Sequence, residues 1–117
     1  MIEPVNPVRG EVWLINFEPS VGAEIRKIRP AVVISRPLAG RLPLRTIIPF
    51  TDWKPHYAEF EWFAEIAPSK SNGLTKVSAA DCFQSKSVSI ERFIRKIGAL
   101  SDNQIKDLLK RVHFCID

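Results

Sequence analysis

The sequence predicts a mainly β fold with one C-terminal helix, built as a small, strongly bent antiparallel sheet or barrel. Short runs of β-branched and aromatic residues recur along the first two thirds of the chain, and turn residues separate them. One amphipathic helical pattern ends the sequence. With 117 residues the chain has room for one hydrophobic core, so we expect a single domain over residues 1–117.

Strands are predicted from composition and from alternation. Residues 11–17, 30–35 and 45–50 are rich in β-branched and aromatic side chains and are bounded by turn residues. Residues 59–66 alternate acidic and apolar side chains, which is typical of a half-buried antiparallel strand. Residues 74–79 follow a Ser-Asn-Gly turn, and we expect them to pair with that strand.

The C-terminal segment predicts a helix that begins with a capping box. Ser101 and Gln104 have the spacing at which each side chain bonds to the backbone N–H of the other. Before this helix, residues 89–93 are expected to form a short helical turn and residues 95–99 a strand. Apolar residues then recur on one helical face, at Ile105, Leu108, Leu109, Val112 and Ile116.

The composition excludes several classes of protein. No apolar run approaches the roughly 18 residues that a membrane span needs, and the N-terminus lacks the basic and apolar parts of a signal peptide. We therefore expect a cytoplasmic protein without membrane contact. Cys82 and Cys115, with His56 and His113, lack the number and spacing of a zinc site or a disulfide scaffold. Two reduced thiols are expected, and neither a metal nor a cofactor.

Positive charge is concentrated in one stretch of the chain. The net charge is only +4, yet residues 25–51 hold six basic residues and no acidic one. This stretch includes two predicted loops, and loops on a rigid sheet commonly carry binding groups. It is suited to following a nucleic-acid backbone, although a solvated cationic loop explains the charge as well. The basic residues are Arg26, Lys27, Arg29, Arg36, Arg41 and Arg45.

Three residues in and beside this stretch have the chemistry that metal-independent RNA cleavage needs. That reaction requires a base for the 2′-hydroxyl, a cation for the phosphorane and a donor to the departing 5′-oxygen. Glu24 is a candidate base, and Arg29 is a candidate cation whose backbone is kept extended by Pro30. Thr51 ends the third strand beside the start of the second, so it is a candidate hydroxyl donor to a phosphate oxygen or else a strand-terminal residue without function. Trp53 could stack on an unpaired base.

The sequence carries, in order, RGEVW at 9–13, FEPSVGAEIRKIRPAVVIS at 17–35 and IPFT at 48–51. In these residues and their spacing it resembles the MazF/PemK (Kid-like) family of toxin endoribonucleases. The resemblance implies a compact SH3-like (CcdB/PemK-like) barrel, a homodimer, and sequence-specific, metal-independent cleavage of single-stranded mRNA by 2′-hydroxyl attack. It also implies a cognate antitoxin whose acidic disordered segment covers the basic groove, with DNA contacted only through that antitoxin.

The resemblance also assigns roles by position. The family's arginine before proline falls on Arg29, its strand-closing threonine on Thr51, and the acidic residue of its first loop on Glu24. These are the implied catalytic residues. Phe50 and Asp52 depart from the family pattern on either side of the threonine, which affects the RNA sequence recognised more than the reaction. The expected RNA-binding residues are Arg26, Lys27, Arg36, Arg41, Arg45 and Trp53.

Two other functions stay open at this level. The gyrase poison CcdB shares the implied fold but relies on a tryptophan at its extreme C-terminus, whereas this chain ends in Cys115-Ile116-Asp117. A catalytically inert RNA-binding barrel would keep the phosphate contacts and produce no RNA fragments. Incubation with RNA separates this second alternative from a nuclease.

Overall fold

The computed structural model describes residues 5–17, 28–37 and 42–116. Four candidate residues, Glu24, Arg26, Lys27 and Arg41, lie outside this part of the chain. Short 3-10 helices span Pro55–Glu59, Cys82–Gln84 and Ile90–Arg92. The strands and the helix are β1 (Glu11–Asn16), β2 (Ile28–Val33), β3 (Leu44–Asp52), β4 (Phe63–Ile66), β5 (Ser78–Asp81), β6 (Lys86–Ser89), β7 (Phe93–Ala99) and α1 (Asp102–Ile116).

The described strands form one antiparallel sheet. Its order is β4-β5-β3-β2-β1-β7, and β6 pairs with the first part of β3. The long strand β3 therefore contacts β2, β5 and β6 at different points along its length. One edge of β3 pairs with β2, and the other edge pairs with β6 and then with β5. The predicted fold, a mainly antiparallel β sheet with one terminal helix, is confirmed.

The sheet buries apolar side chains on both faces. Successive side chains of a strand point to opposite faces, and in β3 this alternation divides two hydrophobic clusters. Ile48 and Phe50 join the larger cluster, which also takes Leu108 from α1. Ile47 joins the smaller cluster, together with Phe93 of β7. Burial on both faces explains why the first three strands read as nearly continuous apolar runs.

The predicted helix and its capping box are both present. Gln104 N–H donates to Ser101 Oγ at 3.2 Å, and Ser101 N–H donates to Gln104 Oε1 at 2.9 Å. At the other end of α1, Arg111 Nη1 donates to the backbone carbonyls of Glu61 (2.8 Å) and Phe63 (3.0 Å). The helix is thus attached to the start of β4 by hydrogen bonds as well as by its apolar face.

The strand predicted over residues 59–66 is shorter in the structure, because β4 begins only at Phe63. Aromatic contacts explain the difference. Tyr57 stacks on Phe63 with ring centroids 3.9 Å apart, and Phe60 stacks on Trp62 at 4.8 Å. These contacts favour a chain reversal between the 3-10 helix and the strand. Alternation in the sequence was therefore misleading over the first half of this segment.

Two further boundaries differ from the prediction. The strand predicted over 74–79 begins at Ser78 and runs to Asp81, while Leu74 is buried in the larger cluster from the preceding turn. As predicted, this strand pairs with β4. β6 was not predicted as a strand, because its residues Lys86 to Ser89 are mostly polar and lack an apolar pattern.

Candidate functional site

Strands β2 and β3 bring Arg29 and Thr51 to neighbouring positions. Their antiparallel register pairs Ala31 with Pro49. Continued by two residues, this register sets Arg29 opposite Thr51, and both residues line one surface depression. Side chains opposite each other in antiparallel strands lie on the same face of the sheet. The predicted juxtaposition of these two residues is therefore present.

The two residues line an open depression of about 340 Å³ at the end of β3. Both side chains are half-buried, so each combines a defined position with access to solvent. The wall of the depression includes residues from β2, β3, β5 and the connection between β4 and β5. The lining residues are Ile28, Arg29, Pro30, Phe50, Thr51, Asp52, Lys76 and Ser78.

Lys76 is a charged residue of this depression that the sequence did not reveal. Its Nζ lies 2.7 Å from Asp52 Oδ1. The hydrogen bond and charge of Lys76 hold the pKa of Asp52 below its usual range, and the charges of Arg29 and Lys54 act in the same direction. A lone lysine in a predicted strand carries no motif, so only the fold could place it here.

The ion pair with Lys76 offsets the negative charge that Asp52 brings to the depression. A carboxylate next to Thr51 would by itself repel a phosphate. Among the charged residues that line the depression, Arg29 and Lys76 outweigh Asp52 by one positive charge. The site is therefore suited to an anion in spite of its acidic residue.

Arg36 and Arg45 lie elsewhere. With Arg9 they line a separate depression of about 330 Å³, at the end of β3 away from Thr51. Among the basic residues of the stretch that the structure describes, Arg29 therefore lies at one depression and Arg36 and Arg45 lie at another.

Arg45 is mostly occupied by contacts within the chain. Its Nε donates to the Pro7 carbonyl at 2.8 Å, and its Nη1 donates to the carbonyls of Leu42 (2.7 Å) and Leu44 (2.9 Å). Its Nη2 donates to Asn6 Oδ1 at 3.0 Å. Because four of the five N–H groups of a guanidinium are thereby engaged, we interpret Arg45 as a structural residue that joins the N-terminal segment to β3.

Trp53 follows β3 directly, but its surroundings are acidic. Its ring meets that of Tyr57 edge-on at 5.9 Å. It shares a third depression with Glu59, Glu61 and Glu65. These carboxylates oppose the approach of a phosphate backbone, so stacking of an RNA base on Trp53 stays a prediction.

The remaining chemistry of the described residues is limited. They contain no group of three or more His, Cys, Asp or Glu side chains that could hold a metal ion. Cys82 and Cys115 are free thiols, and burial raises the pKa of Cys82 to about 12, which keeps it protonated at neutral pH. Within the same part of the chain, α1 and the shorter helices do not have the length and apolarity of a membrane span.

Comparison with known families gives a match over nearly all of the chain. The model of the family described as "PemK-like, MazF-like toxin of type II toxin-antitoxin system" matches residues 8–116. The chain belongs to this toxin family. The resemblance seen in the sequence is thus confirmed, and Arg29, Thr51 and Lys76 all lie within the matched region of the MazF-like toxin.

Individual relatives agree with this assignment. The curated protein "Endoribonuclease MazF9" of Mycobacterium tuberculosis is 29% identical over 115 residues, which cover 93% of this chain and 95% of the relative. A MazE-MazF crystal structure from Deinococcus radiodurans superposes with a TM-score of 0.74 at 18% identity, covering 96% of this MazF-like chain and 97% of the other. A mycobacterial endoribonuclease in complex with its cognate antitoxin gives a TM-score of 0.70 at 12% identity, with 94% of each chain covered. At such identities the two structures establish the fold.

Proposed function

We propose that this MazF-like toxin is a metal-independent, sequence-specific endoribonuclease that cuts single-stranded RNA. The observation that carries the proposal is the placement of Arg29 beside Thr51 at an open depression with excess positive charge. Membership of the toxin family and the endoribonuclease name of the curated relative support it. They favour this reaction over gyrase poisoning, which acts through a protein contact.

In the proposed reaction, a base takes the proton of a ribose 2′-hydroxyl, and the oxygen attacks the adjacent phosphorus. The bond from phosphorus to the 5′-oxygen then breaks and this oxygen takes up a proton from water, which leaves a 2′,3′-cyclic phosphate and a 5′-hydroxyl. Arg29 stabilises the charge of the phosphorane, because a guanidinium is a poor proton donor but a strong two-pronged partner of phosphate. Thr51 donates a hydrogen bond to a phosphate oxygen. The base is assigned to Glu24 from the resemblance.

The same depression is proposed to bind an antitoxin. An acidic, disordered antitoxin segment would meet the cations that face RNA, so the two ligands would compete by charge. The structures of MazE-MazF and of an endoribonuclease in complex with its cognate antitoxin support this partner. A homodimer, a cytoplasmic location and contact with DNA only through the antitoxin belong to the same proposal.

Cleavage of a long single-stranded RNA in EDTA tests the reaction. The wild-type protein should give discrete fragments, and Arg29→Ala should slow their appearance about 100- to 1000-fold, which is typical for the loss of a donor to a developing negative charge. Arg95→Ala is the matched control, because Arg95 is an exposed residue of β7 that does not line the depression. Thermal unfolding shows whether each variant is folded.

The outcomes separate the alternatives. Full activity of a folded Arg29→Ala variant would refute the assigned site. RNA that binds to the wild-type protein without being cut would identify an inert RNA-binding barrel instead. Mapping the ends of the fragments gives the sequence recognised.

A further inference from the structure

The segment that precedes Lys76 is firmly attached to the sheet. Asn72 is buried, with 3% of its surface exposed, and its Oδ1 accepts a hydrogen bond from Leu74 N–H at 2.9 Å. The neighbouring Ser71 carbonyl accepts from Ala99 N–H of β7 at 2.8 Å. The turn before Lys76 is therefore part of the folded core and not a free loop.

The segment is held on its other side as well. Ser78 Oγ donates to the carbonyl of Lys76 at 3.0 Å. The carbonyl of Val77 accepts from Trp53 N–H at 3.3 Å, which links the segment to the end of β3 just beyond Thr51. The backbone of Lys76 thus has a defined position beside the candidate site.

The side chain of Lys76 is well placed for an anion and poorly placed to stabilise the fold. Its ion pair with Asp52 leaves the two side chains 64% and 65% exposed. Exposed ion pairs contribute little to stability, because water screens them and the side chains lose freedom. Yet the ammonium lines the same depression as Arg29 and Thr51. A contribution to fold stability therefore does not explain why a lysine lies at this position.

We infer that Lys76 binds a phosphate of the RNA at this site and that Asp52 attenuates the binding by holding its ammonium group. The inference rests on the proposed endoribonuclease function and adds a second cation to Arg29. An ammonium has three N–H donors, so contact with Asp52 leaves donors for a phosphate oxygen. The carboxylate in turn reduces the positive charge that Lys76 presents. The departure from the family pattern at Asp52 thereby sets the affinity of the site.

Binding of a fluorescently labelled oligodeoxythymidylate to the full chain tests the role of Lys76, because DNA without 2′-hydroxyls cannot be cut by this reaction. Lys76→Met should weaken binding about 10-fold, as expected for loss of a hydrogen bond to a charged group. The slope of log affinity against log salt should become shallower by about 0.7, the value for one phosphate contact on a single strand. Lys76→Arg should restore both quantities in large part.

A control distinguishes a local contact from a general change of charge. Lys106→Met removes the same charge from the exposed face of α1, away from the depression, and should leave affinity and slope unchanged. Lys76→Met with wild-type affinity and slope would overturn the inference, and so would equal effects of the Lys76 and Lys106 variants.

Asp52→Asn tests the attenuation. This variant should bind the oligodeoxythymidylate about threefold more tightly, with a salt slope steeper by up to about 0.7, because Lys76 is released from its carboxylate. Asp107→Asn, an exposed acid on α1, is the control and should have no effect. Affinity of Asp52→Asn that equals or falls below that of the wild type would overturn the role of Asp52. Since the Lys76–Asp52 pair is exposed, thermal unfolding of the Lys76 and Asp52 variants should be nearly the same as that of the wild type.

The binding assay is independent of catalysis, so the two proposals can fail separately. If the wild-type protein cuts no RNA while oligonucleotide binding depends on Lys76, the phosphate site stands and the nuclease proposal fails. If the protein cuts RNA and Lys76→Met binds and cuts like the wild type, the nuclease proposal stands and the role of Lys76 is refuted.

Discussion

Gly73→Ala is predicted to be strongly destabilising, because a methyl group at this position meets two separate costs. Gly73 has φ +71°, and a Cβ there would collide with the backbone carbonyl of Ile97 in β7. A left-handed backbone costs an L-residue about 1–2 kcal/mol. Forcing a methyl group against packed backbone costs about 1–3 kcal/mol. The expected loss is about 2–5 kcal/mol, out of a typical domain stability of about 5–15 kcal/mol.

Substitutions at two other glycines measure the cost of backbone strain and the cost of steric collision separately. Gly10 has φ +93°, but the nearest atom to its Cβ would be the Leu100 carbonyl oxygen at 3.9 Å, so Gly10→Ala introduces backbone strain without a collision. At Gly98, φ lies outside the left-handed region, while a Cβ would collide with the backbone of Asn72. Gly98→Ala therefore introduces a collision without strain. The losses for these two variants should be about 1–2 and 1–3 kcal/mol.

Urea unfolding followed by circular dichroism gives the three free energies of unfolding. Gly73→Ala should lose the most, by roughly the sum of the other two losses. Each kcal/mol should also lower the Tm by about 4 °C in a domain of this size. A Gly73→Ala variant as stable as Gly10→Ala would refute the close packing of this turn on β7, and with it the rigid attachment of the segment that carries Lys76.

Two further predictions concern charged side chains within the fold. Asp81 is 8% exposed, its Oδ1 finds no hydrogen-bond partner among the described residues, and burial raises its pKa. Because the native state keeps this proton to a higher pH than the unfolded chain, wild-type stability should fall as pH rises from the usual aspartate pKa through the raised one. Asp81→Asn should abolish that fall, as measured by urea midpoints across this pH range; parallel pH profiles would contradict it. Arg45→Met should lower the free energy of unfolding by about 1–3 kcal/mol through its lost hydrogen bonds, with exposed Arg36→Met as control. If Arg45→Met unfolds like the wild type but binds RNA more weakly, the structural role is refuted and Arg45 contacts a phosphate instead.

Local patterns predicted those elements whose cause is local. The helix α1 was predicted with its capping box because Ser101 and Gln104 interact within one turn of chain. The first three strands were predicted because each is apolar enough to be buried on both faces of the sheet. The juxtaposition of Arg29 and Thr51 was also within reach, since it needs only that consecutive strands pair antiparallel.

Elements that depend on distant partners were missed or misplaced. β6 is polar and exists because it pairs with the first part of β3. The segment before β4 alternates like a strand, but ring stacking between Tyr57 and Phe63 turns the chain there. In both cases the deciding contact joins residues that no periodicity relates, so the pattern of the segment itself could not predict its structure.

Some features of the candidate site could likewise be predicted from the sequence, and others depend on tertiary contacts. The chemistry of Arg29, Thr51 and the basic stretch is visible in the residue types and their spacing along the sequence. The pairing of Lys76 with Asp52 and the engagement of Arg45 by backbone carbonyls exist only in the folded chain. A side chain's charge is a property of its residue, whereas the partner that uses or neutralises this charge is set by which strands the sheet brings together.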